Sequence, residues 1–407
     1  MSAKKEKSWQ DKIVAYALKN AIEHEGKAQE GAVIAGLFHE GLKQEEVKIV
    51  VNDIKKVVAE VNRLGLDKQK QEFEKLKGVT SKRKERKGLP TLPQAKKGKV
   101  IMRFAPSPSG PLHVGHAATA CISFLYVKKY GGKFYIRIED TNPENIYKPA
   151  YKMLKDEAKW LFNNKAQIVI QSQRMKLYYQ YAKDLIEKEK AYVCSCSQKK
   201  MQELRRKGKE CSCRQFPLDE QTKRWEKMLK KGKGAYKEGD AVLRFKGDMQ
   251  DKNPAFRDFP LARIVEKSHP LQGKKYRVWP LMNLAVAVDD IEQKMTHIIR
   301  AKEHRDNAKR QEMIFNVFDK KYPWAAYLGR WHFKDMVLST TKMRKAIEAG
   351  EYKGWEDERL PTIASLRKRG YKKEAFWKFS EQVGLSETDK VIDKKEYFRL
   401  LDYFNKK

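Results

Sequence analysis

The stretch from Val100 to Asp140, "VIMRFAPSPSGPLHVGHAATACISFLYVKKYGGKFYIRIED", constrains the fold more than any other part of the chain. "VIMRF" has the apolar run of a buried strand. From 117 to 129, Ala118, Ile122, Leu125 and Tyr126 recur at helical spacing. In "KFYIRIED", Phe134, Ile136 and Ile138 alternate, which predicts a second strand. Strand, helix and strand within about 40 residues form a crossover unit, and such a unit requires a parallel sheet. The loop leaving the first strand then lies at the carboxyl edge of that sheet, where ligands bind. It carries Pro106, Pro108, Pro111, Gly110 and Gly115, with His113 and His116 where the helix begins. Residues three apart share one face of the first turn, beside the free N–H groups of the helix end. Spacing alone leaves two readings: a structural pair that caps the helix, or two donors for an anion.

The rest of the chain is organised around this unit. Residues 1–78 predict an N-terminal helical domain, with Trp9, Ile13, Tyr16 and Ala17 on one face and Val47, Val51, Ile54, Val58 and Val61 on another. Residues 79–98, "VTSKRKERKGLPTLPQAKKG", read as a basic linker that is either a solvated spacer or an RNA contact. A Rossmann-type α/β domain is expected in two halves, 99–190 and 265–335, split by an inserted subdomain at 191–264. In the first half, Tyr151, Leu154, Ala158 and Leu161 mark a helix and "AQIVIQ" a strand. In the second, "AVAVDD" is expected to be a strand and "MTHIIRAKEH" a strand running into a helix. Residues 336–407 read as mostly helical.

Charge points to the partner. Lys and Arg number 88 against 53 Asp and Glu, a formal charge of +35. Such an excess attracts polyanions, nucleic acid first. A thermophile's lysine-rich surface would bring comparable glutamate. No run of 18 apolar residues occurs, so a cytoplasmic protein with no membrane partner is expected.

Four of the five cysteines form two C-x-C pairs, Cys194 with Cys196 and Cys211 with Cys213. On an extended segment, residues two apart face one side. Four thiolates suit a tetrahedral structural Zn²⁺. Cys121, on the predicted first helix, is expected to be packed.

"HVGH" in "RFAPSPSGPLHVGH" resembles the HIGH signature of class I aminoacyl-tRNA synthetases, and its flank is similar to the glutamyl/glutaminyl subfamily. "RIEDTNP" (137–143), "VWPLMNLAVAVDD" (278–290), "THIIRAKEH" (296–304) and "GWEDERLPTIASLRKRG" (354–370) resemble further segments in the same order. "LSTTKMRKAI" (338–347) resembles the archaeal form of the KMSKS loop, and the N-terminal helices resemble the extension of archaeal glutamyl enzymes.

The resemblance implies a two-step ligase. Glutamate and ATP, with Mg²⁺, give glutamyl-adenylate; the glutamyl group then passes to the 3′-terminal adenosine of tRNA(Glu), with tRNA(Gln) the other candidate. It implies ATP binding by Pro106, His113, Gly115, His116, Ser339 and Lys342, of which His113, His116 and Lys342 would be catalytic. Arg103, Ala105, Ser107, Glu139 and Arg300 would hold glutamate, with Arg103 on its side-chain carboxylate. A guanidinium fork suits that group. The inserted subdomain would hold the tRNA acceptor end, and the helical region after 336 would contact its stem. Asp289 and Asp290 would close a pocket strand, or cap a helix.

Two departures stand out. Met282 and Val286 occupy positions where bacterial relatives carry Tyr and Asn, so two hydrogen bonds to the amino acid are missing. In "LSTTK" the phosphate-facing lysine is displaced by one residue to Lys342, with Lys345 the weaker candidate. The family also has a C-terminal anticodon-binding domain beyond the matched segments, expected here from a separate chain or lost from a fragment. The competing readings are a glutaminyl-tRNA synthetase and an inactive RNA-binding paralogue.

Overall fold

The computed structural model describes residues 3–76, 78–80 and 88–406, with side chains from Trp9 onward. Residues 1–86 and 87–407 form two compact units.

The first unit is helical: α1 (Ala3–Glu23), α2 (Glu30–His39), α3 (Val47–Asn62) and α4 (Leu66–Leu76). Its core gathers Trp9, Ile13, Ala17, Val33, Leu37, Ile54, Val58 and Val61. Tyr16 and Val47 only line that core's edge. Val51 is half-buried, while Val50 and Val57 are buried in its place. The buried stripe at 50, 54, 57, 58 and 61 overlaps the predicted face at Ile54, Val58 and Val61 and is rotated towards Val50 and Val57. Helices α1 and α2 cross closely at Gly36, where a Cβ would stand 2.3 Å from the Tyr16 ring.

In the second unit the expected linker splits. Residues 81–87 lie outside the described residues. Residues 88–98, by contrast, are built into the fold. Leu92 is buried in the main core, and its N–H donates to the Tyr130 hydroxyl at 3.1 Å. The Pro93 carbonyl lies 2.8 Å from His297 Nε2.

Then come β1 (Val100–Phe104), α5 (Val114–Tyr130), β2 (Gly132–Ile138), α6 (Ala150–Leu161), β3 (Ala166–Ile170) and α7 (Met175–Glu187). Strands β1, β2 and β3 pair in parallel in that order, with Arg103 opposite Tyr135 and Ile136 opposite Ile168. The inserted layer holds β4 (Ala191–Cys194), α8 (Gln198–Lys207), α9 (Leu218–Leu229), β5 (Val242–Phe245), β6 (Pro260–Ile264) and β7 (Val278–Pro280). These four strands form one antiparallel sheet that runs on to Pro280, past the expected boundary at 264. Its core is shared with α7 and with α10 (Met282–Glu292).

Helix α10 corrects the sequence reading: "AVAVDD" is helix, not strand. Its residues Asn283 to Asp290 are buried on every side. An all-apolar run carries no periodicity to separate a buried strand from a buried helix, and here packing against the facing core overrides the β-preference of Val286 and Val288.

The chain returns through β8 (His297–Ala301), α11 (Arg305–Val317) and β9 (Trp324–Leu328), with β8 and β9 parallel. β8 starts beside β1: the Thr296 N–H donates to the Ile101 carbonyl (3.0 Å), and the Ile101 N–H to Thr296 Oγ1 (2.9 Å). The spatial order is thus β3-β2-β1-β8-β9, and it reverses direction between β1 and β8. Last come β10 (Trp331–Phe333), α12 (Thr340–Glu348), α13 (Ile363–Lys368), α14 (Lys373–Val383), β11 (Lys390–Ile392) and α15 (Lys394–Lys406). Helix α14 packs on α5, and β10 pairs in parallel with β11.

Candidate active site

A parallel sheet opens a crevice where its strand order reverses. Beyond the ends of β1 and β8 lies a cavity of about 520 Å³. Arg103, Ala105, Pro106, Ser107, His113, Gly115, His116, Glu139, Arg300 and Ser339 all line it. A larger depression of about 790 Å³ over residues 353–359 contains none of these residues, so the chemistry is placed at the smaller cavity.

His113 is the N-cap of α5. Its Nδ1 accepts from the N–H groups of Gly115 (3.2 Å) and His116 (3.4 Å). An accepting Nδ1 carries no proton, so the neutral ring carries its proton on Nε2. The two imidazoles stack with centroids 3.6 Å apart. Burial, and then the neighbouring His116, holds His113 well below the ordinary histidine range; burial lowers His116 to about 4. Both rings are therefore neutral hydrogen-bonding groups at neutral pH. Gly115 is required by space: a Cβ there would lie 3.2 Å from both the His113 ring and Leu338. Of the two sequence readings, the capping one is what His113 does, and both rings also line the cavity.

The loop is held from behind. Glu157 Oε2 accepts the Leu112 N–H at 2.6 Å. The Val114 N–H donates to the Pro361 carbonyl, and the Ile363 N–H to that of Leu112. Burial pushes the Glu157 carboxyl up to about 8, against the backbone donors of Leu112 and Ala364.

At the other end, Arg103 is engaged by the protein itself. Its Nε and Nη2 donate to the two oxygens of Asp290, each at 3.1 Å. Arg137, fully buried, donates to the same Asp290 and to the Val286 carbonyl. Arg300 donates to Gln311 Oε1 at 2.9 Å, and its buried Nε has no partner among the described residues. Burial pushes the Glu139 carboxyl up, opposed by Arg137, Arg103 and Arg300. Asp290 also pays desolvation, yet Arg103 and Arg137 hold it below the usual carboxylate range. Sequence reasoning missed Arg137, Arg174 and Tyr178, which hold the buried aspartates. The signal available was a charged residue inside the apolar strand "YIRI".

Met282 lines the cavity as an apolar wall, and Val286 is buried within α10. At the opposite rim, Ser339 caps α12 by accepting the Lys342 N–H at 3.4 Å. Ser109 and Thr340 share a hydrogen bond of 2.8 Å, tying the two loops together. Lys342 itself is exposed on the first turn of α12 and does not line the cavity; Lys345 is exposed too.

The four cysteines meet away from this cavity, with sulfur atoms all within 4.8 Å of one another. Cys194 and Cys211, and likewise Cys196 and Cys213, are 3.9 Å apart. Sulfurs about 2.3 Å from one tetrahedral zinc would be ~3.8 Å apart, so the set fits that ion. Cys121 is buried in the main core.

A parallel α/β sheet with a helix N-terminus and two neutral imidazoles at its switch point, beside two buried arginines, has the layout by which α/β folds hold nucleotides. The particular family is settled by comparison. Residues 99–404 match the family model described as tRNA synthetases class I (E and Q), catalytic domain. The glutamate–tRNA ligase of Pyrococcus abyssi is 46% identical over 387 residues, covering 93% of this chain and 67% of the relative. That of Methanocaldococcus jannaschii is 43% identical over 382 residues, covering 93% and 68%. A crystal structure of a glutamate tRNA ligase from Elizabethkingia meningosepticum, in complex with its amino acid, shares the fold at 22% identity. Its TM-score is 0.50, over 75% of this chain and 69% of that one. The chain belongs to the class I tRNA synthetases of the glutamyl and glutaminyl group, and the class implies ATP with Mg²⁺.

Proposed function

We propose that the chain is the catalytic part of a glutamate–tRNA ligase working in the cytoplasm. The observation that carries this reading is the single cavity in which Arg103, Arg300 and Glu139 stand opposite His113 and His116. The α-carboxylate of glutamate attacks the α-phosphorus of ATP, and the bond to the β-phosphate oxygen breaks to release pyrophosphate. The 2′-hydroxyl of the tRNA's terminal adenosine then attacks the acyl carbon, and AMP leaves. Nothing is attached to the enzyme, so catalysis is positioning and charge stabilisation.

In this reading His113 and His116 face the phosphates, as neutral donors beside the α5 N-terminus. Pro106 and Gly115 leave room for the nucleotide, and Ser339 seats the second loop. Lys342 reaches the leaving pyrophosphate only when α12 swings its first turn inward. Arg103 and Arg300 take the side-chain carboxylate, Glu139 the amino group, and Ala105 and Ser107 the space between. Cys194, Cys196, Cys211 and Cys213 would hold a Zn²⁺ ion, which would cross-link the inserted layer where the acceptor end is expected to dock. tRNA(Glu) is the nucleic-acid partner, with tRNA(Gln) as the comparison.

Pyrophosphate exchange with tRNA present tests the core reading. Exchange is expected with glutamate; exchange with glutamine alone would assign the glutaminyl activity instead, and none with either would leave an RNA-binding paralogue. Adding a separately produced anticodon-binding domain tests the expected partner chain. A rise in kcat/KM for tRNA supports it, and no association argues against it.

A further inference from the structure

Beneath the cavity floor lies a buried ionic cluster that the reaction as described does not use. Asp290, on α10, is 1% exposed. Its two oxygens take the Nε and Nη2 donors of Arg103, and one of them also takes Arg137. Arg137 is fully buried on β2 and has no route to the cavity surface. Asp289, next along α10, is bound by Arg174, Tyr178 and Gln171 on the far side.

A guanidinium has five N–H donors in a fixed plane. Asp290 takes the Nε side, so the plane of Arg103 is set and its Nη1 end is left for the cavity. Without that clamp, a long side chain with several rotatable bonds loses its direction. Burying an ion pair is costly, and its best-attested return is to fix one arrangement.

We infer that Asp290, anchored by Arg137, is a positioning residue that aims Arg103 at the side-chain carboxylate of the amino acid. The inference rests on the glutamate reading above. It adds a residue on a different element, 187 positions away in sequence, that never touches substrate.

The sign of the effect separates this role from simple charge. Around the floor, Arg103, Arg137, Arg174 and Arg300 face Glu139, Asp289 and Asp290, an excess of one positive charge. Neutralising Asp290 makes the floor more positive, and Coulomb attraction alone would then lower KM for glutamate. Loss of aim raises it.

The test is pyrophosphate exchange in the presence of tRNA, with melting curves for every variant. Asp290→Asn is expected to raise KM for glutamate about tenfold or more and to leave KM for ATP within about twofold. Asp290→Glu keeps the charge and the ion pairs but moves the carboxylate by one methylene. It is expected to raise KM in the same way, and it supplies the reading if Asp290→Asn does not fold. In an Arg103→Lys background, Asp290→Asn is expected to add less than about twofold, because its only route to substrate is already removed. An unchanged or lowered KM in Asp290→Asn, an unchanged KM in Asp290→Glu, or effects that simply multiply in the double variant would each overturn the inference. Exchange by the wild type with glutamine alone would sink the glutamate reading instead, and the coupling of Asp290 to Arg103 would then be read with glutamine.

Discussion

The cavity between β1 and β8 and the cysteine cluster above β4 are both polar sites enclosed in apolar surroundings, but they are assembled by opposite means. Cys194 and Cys211 are 17 residues apart, and Cys196 and Cys213 likewise. The end of β4, the helix α8 and the turn after it bring them together. Arg103 and Asp290 are 187 residues apart, and only the return of the chain from the inserted layer places them in contact. The first site is four like groups around one point. The second is a balance of opposite charges that fails if any partner is moved. A local site is thus insensitive to the rest of the fold, whereas a long-range site reports on it.

Breaking the proposed zinc site at the cysteines should produce the largest effect. Structural zinc contributes about 10 kcal/mol of apparent folding free energy in small metal sites. Cys213→Ser is expected to abolish bound zinc, measured by elemental analysis, and to lower the melting temperature of the inserted layer. Wild-type protein without metal would break the comparison at its first term. Next, Arg300→Met removes the cation held by Gln311 and the third of the three arginines that oppose burial of Glu139. A hydrogen-bonded charge on the substrate carboxylate is worth about 1.5–3 kcal/mol, so under the proposed reading kcat/KM for glutamate should fall about tenfold to a hundredfold while KM for ATP holds. Equal changes in both would mean that the two ends of the cavity are not separable.

His113→Ala removes a helix cap and, in the proposed reading, one donor to the phosphates. A preorganised donor is worth about 3 kcal/mol of barrier, and a cap about 1 kcal/mol of stability. A rate loss of about a hundredfold with only a small fall in melting temperature is expected; untouched charging would contradict the catalytic role.

The smallest effects concern pH. His116 is lowered by burial to about 4 from 6.5. Between those values the unfolded chain binds a proton that the folded one does not, so stability falls as pH drops from 6.5 towards 4. Glu157 is raised by burial from 4.5 to about 8. Over that window the folded chain keeps a proton the unfolded one has lost, so its contribution falls as pH rises. His116→Asn should flatten only the acid limb of melting temperature against pH, and Glu157→Gln only the other.

How far the site could be read in advance varied with the distance between its parts. The β1 loop and its histidine pair at a helix start are legible, since capping and helical spacing involve residues within four positions. Arg103 was singled out, but its partner was not, because a fork that suits a substrate carboxylate suits a protein carboxylate equally well. Lys342 was chosen by its motif and stands exposed, since the direction of a side chain on the first turn of α12 depends on how that helix sits. The half of the basic segment from 88 to 98 looked like spacer because charge hid Leu92 and Pro93, two positions that the main core and His297 hold in place.

The crossover unit, the placement of His113 at a helix start and the gathering of the two C-x-C pairs follow from the sequence alone. Each depends on short-range periodicity or on ligand chemistry that survives any surroundings. That 282–292 is a helix and that Arg103 is clamped by Asp290 over Arg137 depends on the packed fold. An apolar run takes its conformation from the surfaces that bury it, and a buried charge takes its orientation from the opposite charge the fold delivers. Both are supplied by elements far along the chain.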